Sequence, residues 1–407
     1  MADPAKLLFR DPSYDGQLSR TLAAATVGAA DLGEALATAR RIGRPSRATW
    51  HDAWSATAEV ARRTGTTALE AGDRASARQA FLRASEYFRQ AYYFVRTDIH
   101  GPLLQRAYRA HVDSFVAAVD LMEHPARQVR IPFETTSLVG YFFEPDDTGA
   151  DRPTLLFPCG YDSTAEAGWV NVPRALARGY NVLVFEGPGQ GEALYVQQLF
   201  FRPDFEAVVT PVLDWLLAQP HVDATRVVLV GRSFAGYLAP RAAAFDTRLA
   251  GLVCDPAQPD MGAKIPGGLA GRLAVPFVTA QCRVSADRAE FFGARMAGHG
   301  ISSLAAYFAE LRRFDMLSDA QRITCPTLIV EADGDFAGGQ GSTLAAALRC
   351  PVELIHLTRA QGADGHCAGL GQDIWAETVF GWMAQLLDPT RPTPDGAALR
   401  EDRAAGR

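Results

Sequence analysis

The apolar positions change rhythm once, near residue 125. Before that point they recur at helical spacing: Ala53 to Arg63, Ala75 to Val95 and Leu104 to Leu121, with Gly72 and Asp73 breaking the first two apart. This pairing would suit a helical repeat, but no second copy follows at a fixed period, so a solenoid is excluded. From Gln128 the texture becomes strand-like. QVRIPFE and LVGYFFEP read as an antiparallel pair. Short apolar runs follow, each ending in turn residues: TLLFPCG, NVLVFEGPGQG, RVVLVGRSFAG, LAGLVCDP, PTLIVEADGD and VELIHLT. Helical patterns separate them at Ala165 to Arg178, Phe205 to Ala218 and Tyr237 to Ala244. Fully apolar runs joined by crossover helices predict an α/β fold with a mostly parallel, doubly wound sheet buried on both faces.

The alternation lapses between Met261 and Leu317. That stretch holds helical patterns at Ala286 to Met296 and Leu304 to Leu311, a Gly-rich segment at Gly267 to Gly271, and no strand. An insertion there would lie over the strand ends as a lid. The expected organisation is a helical cap over residues 1–125 and an α/β domain over 126–390, with the lid at about 257–318. The Pro-, Asp-, Arg- and Ala-rich tail, 391–407, is expected to be disordered.

Composition narrows the function classes. The chain has 407 residues, 48% of them apolar, and a net charge of -6. That mildly acidic balance gives no general electrostatic case for nucleic acid or an anionic membrane. Lys6 and Lys264 are the only lysines, which reflects codon bias before function. No apolar run is long enough to span a bilayer, and the opening residues lack a signal-peptide pattern. Cys159, Cys254, Cys282, Cys325, Cys350 and Cys367 form neither a CxxC pair nor a secreted framework, so a reducing cytoplasm is expected. The histidines show no HxH or HExxH spacing, and neither metal nor other cofactor is expected.

The chemistry concentrates in a few turns. In RVVLVGRSFAG a β-branched strand stops at Gly231, Ser233 follows, and a helix starts at once. This is the strand–turn–helix setting of a nucleophile elbow, where small neighbours let strand and helix approach. Ala235 stands where the common pattern has a second glycine. A serine capping a helix is the plainer alternative. His366, in QGADGHC, lies after the last apolar run, where the general base for such a serine is expected. Its orienting acid should follow PTLIV. Counting from the small residue Ala332 favours Asp335, with Asp333 as rival and a turn role as its alternative. The oxyanion hole would use the backbone N–H groups of Phe234 and Tyr161, with Gly160 permitting the turn. Cys159 has no histidine in a matching position and is set aside as a nucleophile. FEGPGQGE is Gly-rich but does not open a helix like a dinucleotide fingerprint, so a structural turn near the pocket is expected. Asp255, Asp260, Arg232 and Gly160 are candidates for handling the substrate. For the two acids a helix cap or a lid salt bridge is the plainer reading.

Together these motifs resemble the α/β-hydrolase superfamily. Within it they are similar to the branch of 2,6-dihydroxypseudooxynicotine hydrolase, the fungal yellowish-green polyketide-shortening hydrolases and FrsA-like proteins. The likeness spans roughly residues 73–388 and is clearest in CGYDST, FEGPGQGE, GRSFAG, VEADGDFAGGQG and QGADGHCAGLG. Ala235 and a divergent lid depart from it. The resemblance implies an α/β-hydrolase fold capped by the N-terminal helical domain, with the substrate between them, and it aligns the family's acid with Asp335. It also implies carbon–carbon cleavage of a ketone or polyketide beside an aromatic ring, with an extra acid in the pocket that the sequence does not identify. The expected partner is a bulky aromatic or polyketide-like small molecule, and a homodimer is left open. Acetyl-ester hydrolysis or elimination in natural-product tailoring is the related alternative. A non-catalytic binding or regulatory role, as FrsA-like relatives suggest, is the other.

Overall fold

Short apolar strands must be covered on both sides, and in the computed structural model, which describes residues 6–266 and 268–388, the central ones are, while the last, Val352–Leu357, lies at the sheet edge largely exposed. Five helices come first: α1 (Pro12–Ala25), α2 (Leu32–Ile42), α3 (Arg47–Glu70), α4 (Arg74–Tyr93) and α5 (Pro102–Val119). Asp11, Asp31, Ser46 and Asp73 cap the first four through side-chain oxygens that accept from backbone N–H groups. α4 packs on α3 and α5 and is buried over nearly all of its second half. It therefore satisfies its own charges. Arg89 Nε donates to Glu86 Oε2 at 2.7 Å, and Thr21 Oγ1 donates to Glu86 Oε1 at 2.8 Å.

The strands are β1 (Ala126–Phe133), β2 (Thr136–Phe143), β3 (Arg152–Pro158), β4 (Asn181–Phe185), β5 (Val222–Arg232), β6 (Gly251–Asp255), β7 (Thr327–Ala332) and β8 (Val352–Leu357). They form one eight-stranded sheet ordered β1-β2-β4-β3-β5-β6-β7-β8. β1 and β2, and β2 and β4, pair antiparallel; every later pair is parallel. The chain leaves β3 to one side for β4 and returns to its other side for β5. The order of the parallel strands reverses there, and such a crevice outside the carboxyl ends is where open α/β sheets bind ligands.

Four helices complete the crossovers before the insertion: α6 (Val172–Leu176), α7 (Gly191–Tyr195), α8 (Glu206–Leu217) and α9 (Ala235–Ala243). The helical pattern at Ala165 to Arg178 is a 3-10 turn, Glu166–Asn171, followed by the short α6. Pro173 sits in the first turn of α6, where a residue without an N–H cannot continue the preceding helix. FEGPGQGE does run into a helix, the five-residue α7, contrary to expectation. Between β6 and β7 lie α10 (Gly268–Val284), α11 (Ala286–Gly298) and α12 (Leu304–Leu311). The Gly-rich segment is thus mostly the start of α10: glycine weakens a helix by about 1 kcal/mol but does not forbid it. Its first residue, Gly267, and the expected tail at 391–407 lie outside the described residues. α13 (Gly341–Ala347) and α14 (Gln372–Leu387) finish the fold.

One sheet face carries α8 and α9 over Val208, Leu213, Leu229 and Leu238. The other shares a continuous apolar cluster with the N-terminal helices, running from Trp50, Trp54 and Tyr87 to Val184, Val228 and Val253. The insertion adds an aromatic cluster in which His299 packs on Tyr161, Phe201, Phe314 and Tyr307.

Two outcomes follow from this packing. A Cβ added at Gly236 would fall 1.9 Å from the carbonyl oxygen of Pro256. Gly236→Ala is therefore expected to cost about 3 kcal/mol, whereas Ala235→Gly, which only removes a methyl group, should cost about 1 kcal/mol. Denaturant melts would read both, and equal effects would contradict the tight approach. The second concerns acid. Burial, helped by the charge of Arg295, lowers the pKa of His299 from 6.5 to about 3. Between those values the unfolded chain binds a proton that the folded chain refuses, so stability falls as pH falls through this window, by about 1.4 kcal/mol per pH unit from this group. His299→Phe should flatten the acid side of a stability–pH curve measured from pH 7 downward.

Candidate active site

Ser233 follows β5 directly, and its backbone has φ +60°, a conformation held in place by close packing. Its N–H donates to the carbonyl of Asp255 at 2.7 Å, and its carbonyl accepts from the N–H of Gly236 at 2.8 Å. Gln258 Nε2 donates to the same carbonyl at 2.6 Å. A Cβ at Gly231 would meet the carbonyl oxygen of Ala235 at 2.1 Å, so strand and helix touch backbone to backbone. The second glycine the turn requires is Gly236, which explains why alanine is accepted at position 235.

The turn aims Ser233 at His366. Ser233 Oγ and His366 Nε2 are 2.7 Å apart, and His366 Nδ1 lies 2.8 Å from Asp335 Oδ1. Asp335 also accepts the N–H groups of Ala337 at 2.8 Å and Cys367 at 3.0 Å. Burial alone would raise its carboxyl, but the hydrogen bond with His366 and these two N–H donors outweigh burial and hold the pKa below the usual carboxylate value. Asp333 points elsewhere: it pairs with His356 Nε2 at 2.8 Å and the N–H of Arg359 at 2.8 Å. Between the rival aspartates, the geometry places Asp335 in line.

Arg232 and Asp255, expected as candidates for handling the substrate, face each other. Arg232 Nε donates to Asp255 Oδ2 at 2.9 Å. Its other nitrogens reach Asn171 Oδ1 at 2.8 Å, Gln372 Oε1 at 3.0 Å and the carbonyl of Cys367 at 2.7 Å. The guanidinium lies 4.1 Å from the Trp375 ring centroid. Arg232 thereby ties the histidine loop to the elbow. Asp255 is fully buried with Oδ1 unpartnered, and burial raises its pKa against the opposing pull of Arg232. Asp260 is also occupied structurally. Its carboxylate accepts the N–H of Gly262 at 2.8 Å, and its backbone pairs with the Gln340 amide at 3.1 and 3.0 Å.

The loop after β3 lies against the elbow. A Cβ at Gly160 would stand 3.2 Å from Ser233 Cβ and 3.5 Å from the N of Phe234. The Tyr161 ring stacks on Phe234, centroids 4.0 Å apart. FEGPGQGE braces this loop from below: Gln190 Nε2 donates to the Cys159 carbonyl, and Glu186 Oε1 accepts the N–H of Ala165 at 3.0 Å. Burial and two nearby carboxylates push the Cys159 thiol well up, which leaves it protonated and a poor nucleophile. Among the described residues, the grouping with metal-ligand spacing is Asp335, His366 and Cys367, the acid and base with the adjoining thiol.

Several site residues were invisible in the sequence. Phe336 covers the His366 ring at 4.6 Å, and Lys264 Nζ binds the carbonyls of Phe336, Ala337 and Gly338 at 3.1, 3.1 and 2.8 Å. A lysine isolated in an arginine-rich chain was the available signal. Asp162 accepts Arg96 Nη1 at 2.7 Å and Arg295 Nη2 at 3.3 Å, joining the N-terminal helices, the loop after β3 and the insertion. Its position beside Tyr161 in CGYDST was the only hint.

Known proteins share the family and the fold. A family model described as alpha/beta hydrolase family matches residues 154–389. Hydrolase acrC of Aspergillus aculeatus is 35% identical, over 92% of this chain and 96% of that protein. Alpha/beta hydrolase psoB of Aspergillus fumigatus is 34% identical, over 97% and 98%. Among solved structures, 2,6-dihydroxy-pseudo-oxynicotine hydrolase superposes with a TM-score of 0.72 at 18% identity, covering 92% of this chain and 96% of that one. AbyA5 gives a TM-score of 0.64 at 20% identity, over 88% and 91%. The fold, the family match and these likenesses over most of the chain lead to one conclusion: the chain belongs to the alpha/beta hydrolase family and is a hydrolase.

Proposed function

We propose that this hydrolase works through Ser233, His366 and Asp335 and cleaves an acyl group from a bulky ketone, β-diketone or polyketide-like substrate. The observation that carries this reading is the continuous hydrogen-bonded chain from Ser233 Oγ to the Asp335 carboxylate, set where the strand order reverses. His366 Nε2 takes the proton as Ser233 Oγ attacks the carbonyl carbon. Asp335, kept ionised, stabilises the imidazolium. The developing oxyanion rests on the N–H groups of Phe234 and Tyr161. With a β-diketone, collapse breaks the carbon–carbon bond. The bonding pair leaves on an enolate carbon, which His366 protonates. Water, activated by the same histidine, then attacks the acyl-enzyme and frees the acid and Ser233. The carbon–carbon reading draws on the sequence resemblance; a large substrate suits a site roofed by the helical insertion and bordered by the N-terminal helices.

A fluorophosphonate probe should label Ser233 in folded protein, and Ser233→Ala should remove the label and lower turnover of an activated ester about 10⁴-fold or more. Wild-type protein that resists the probe would overturn the covalent mechanism. Arg232→Met keeps the packing on Trp375 but frees the His366 loop and strands the Asp255 charge. It should cost about 3 kcal/mol of stability, and adding Asp255→Asn should recover part of that loss. A double variant less stable than Arg232→Met alone would show that the pair is not held by charge.

A further inference from the structure

We propose that His299, carried by the insertion, is a positioning residue for the oxyanion hole and acts by holding the Tyr161 hydroxyl. The inference rests on reading Ser233 as the nucleophile and Tyr161 as one side of that hole. It starts from where the polar contacts of the loop after β3 go. The Tyr161 hydroxyl is hydrogen-bonded to His299 Nε2 and lies 3.3 Å from the Tyr307 hydroxyl, and both partners belong to the insertion. The next residue, Asp162, is tied to Arg295 of α11 and to Arg96 beyond the end of α4. Glu290, also on α11, accepts the N–H of Arg96 at 2.7 Å and of Thr97 at 3.1 Å, which joins the insertion to the N-terminal helices. The side chains of Tyr161 and Asp162 are therefore gripped from outside the sheet, while the backbone at Gly160, just before them, lies against the elbow.

The ring of His299 is suited to this grip. It is 7% exposed and sits among Phe201, Phe234, Tyr307 and Phe314. Its Nδ1 is buried without a hydrogen-bond partner, so the Tyr161 hydroxyl is the polar contact that orients it. The groups facing it are the phenols of Tyr161 and Tyr307 and the Arg295 guanidinium. Burial and that guanidinium keep the imidazole neutral, and burial keeps the Tyr161 phenol protonated, so the contact persists across the working pH range. Tyr161 passes the constraint on through its ring, which stacks on Phe234 with planes 28° apart, while Phe201 stands edge-on to both at 4.9 and 5.0 Å. The two residues whose N–H groups would meet the oxyanion thus share one stack, and His299 fixes its outer edge. A displacement of about 1 Å in such a donor is enough to cost about 100-fold in rate.

The test is the rate at which Ser233 is phosphonylated, because the phosphonyl oxygen must occupy the oxyanion position. His299→Leu and Tyr161→Phe should each slow labelling by about 10- to 100-fold, and the double variant should be no slower than the slower single variant. His299→Gln, whose amide reaches the Nε2 position, should return to within a few-fold of wild type. With an activated ester, the loss should fall on kcat and leave KM nearly unchanged. Tyr161→Phe keeps the stack on Phe234, so it reports on the hydroxyl even if His299→Leu fails to fold. Wild-type labelling rates in Tyr161→Phe, or losses that multiply in the double variant, would overturn the inference while leaving the nucleophile in place. Wild-type protein that is not labelled at all would instead remove Ser233 as nucleophile, and the inference with it.

Discussion

The turn that presents Ser233 depends on how closely β5 and α9 approach behind it. The backbone oxygens of Ala235 and Pro256 occupy the space that side chains at Gly231 and Gly236 would need. That contact forces the positive φ of Ser233, lifts its hydroxyl clear of the sheet, and starts α9 within two residues of the strand. The parallel pairing of β3 with β5 then brings the loop after β3 to the same edge. One packing constraint thus places the serine, and the reversal of strand order places its surroundings.

Charge performs the second task, which is to hold loops that have no strand partners. The His366 loop could wander, since it follows an edge strand whose residues are largely exposed. Asp335 holds it through His366 and the Cys367 N–H, and Arg232 adds a second tie, with partners from β6, the 3-10 turn before α6, the histidine turn and the start of α14. Asp255 supplies the buried counter-charge. Such a pair gains little over apolar packing, but losing one partner leaves an unpaired buried charge, so it acts as a lock on geometry. Asp162 does the same in front of the sheet. Burial would raise its carboxyl, but Arg295, Arg96 and Arg20 outweigh burial and keep it ionised.

These two layers differ in purpose. Behind Ser233, backbone contacts leave no freedom. In front, hydrogen bonds and aromatic faces join parts that are distant in the chain: the end of α4, the loop after β3 and the insertion.

The sequence alone determined the elements whose causes are local. All eight strands, the crossover helices α8 and α9, and the order of Ser233, Asp335 and His366 were legible, because apolar runs, turn residues and elbow glycines act within a few positions of themselves. The choice of Asp335 over Asp333 was half legible: counting favoured it, and only the fold showed Asp333 turned to His356. What tertiary structure decided is where long side chains go. Arg232 and Asp255 look like substrate-handling residues when read beside the nucleophile, yet a strand alternates its side chains, and pairing β5 with β6 sets Arg232 directly opposite Asp255. The roles of His299, Asp162 and Lys264 were likewise hidden. Each depends on a partner tens to more than a hundred residues away, and no local pattern encodes a contact that exists only once the insertion has folded over the sheet.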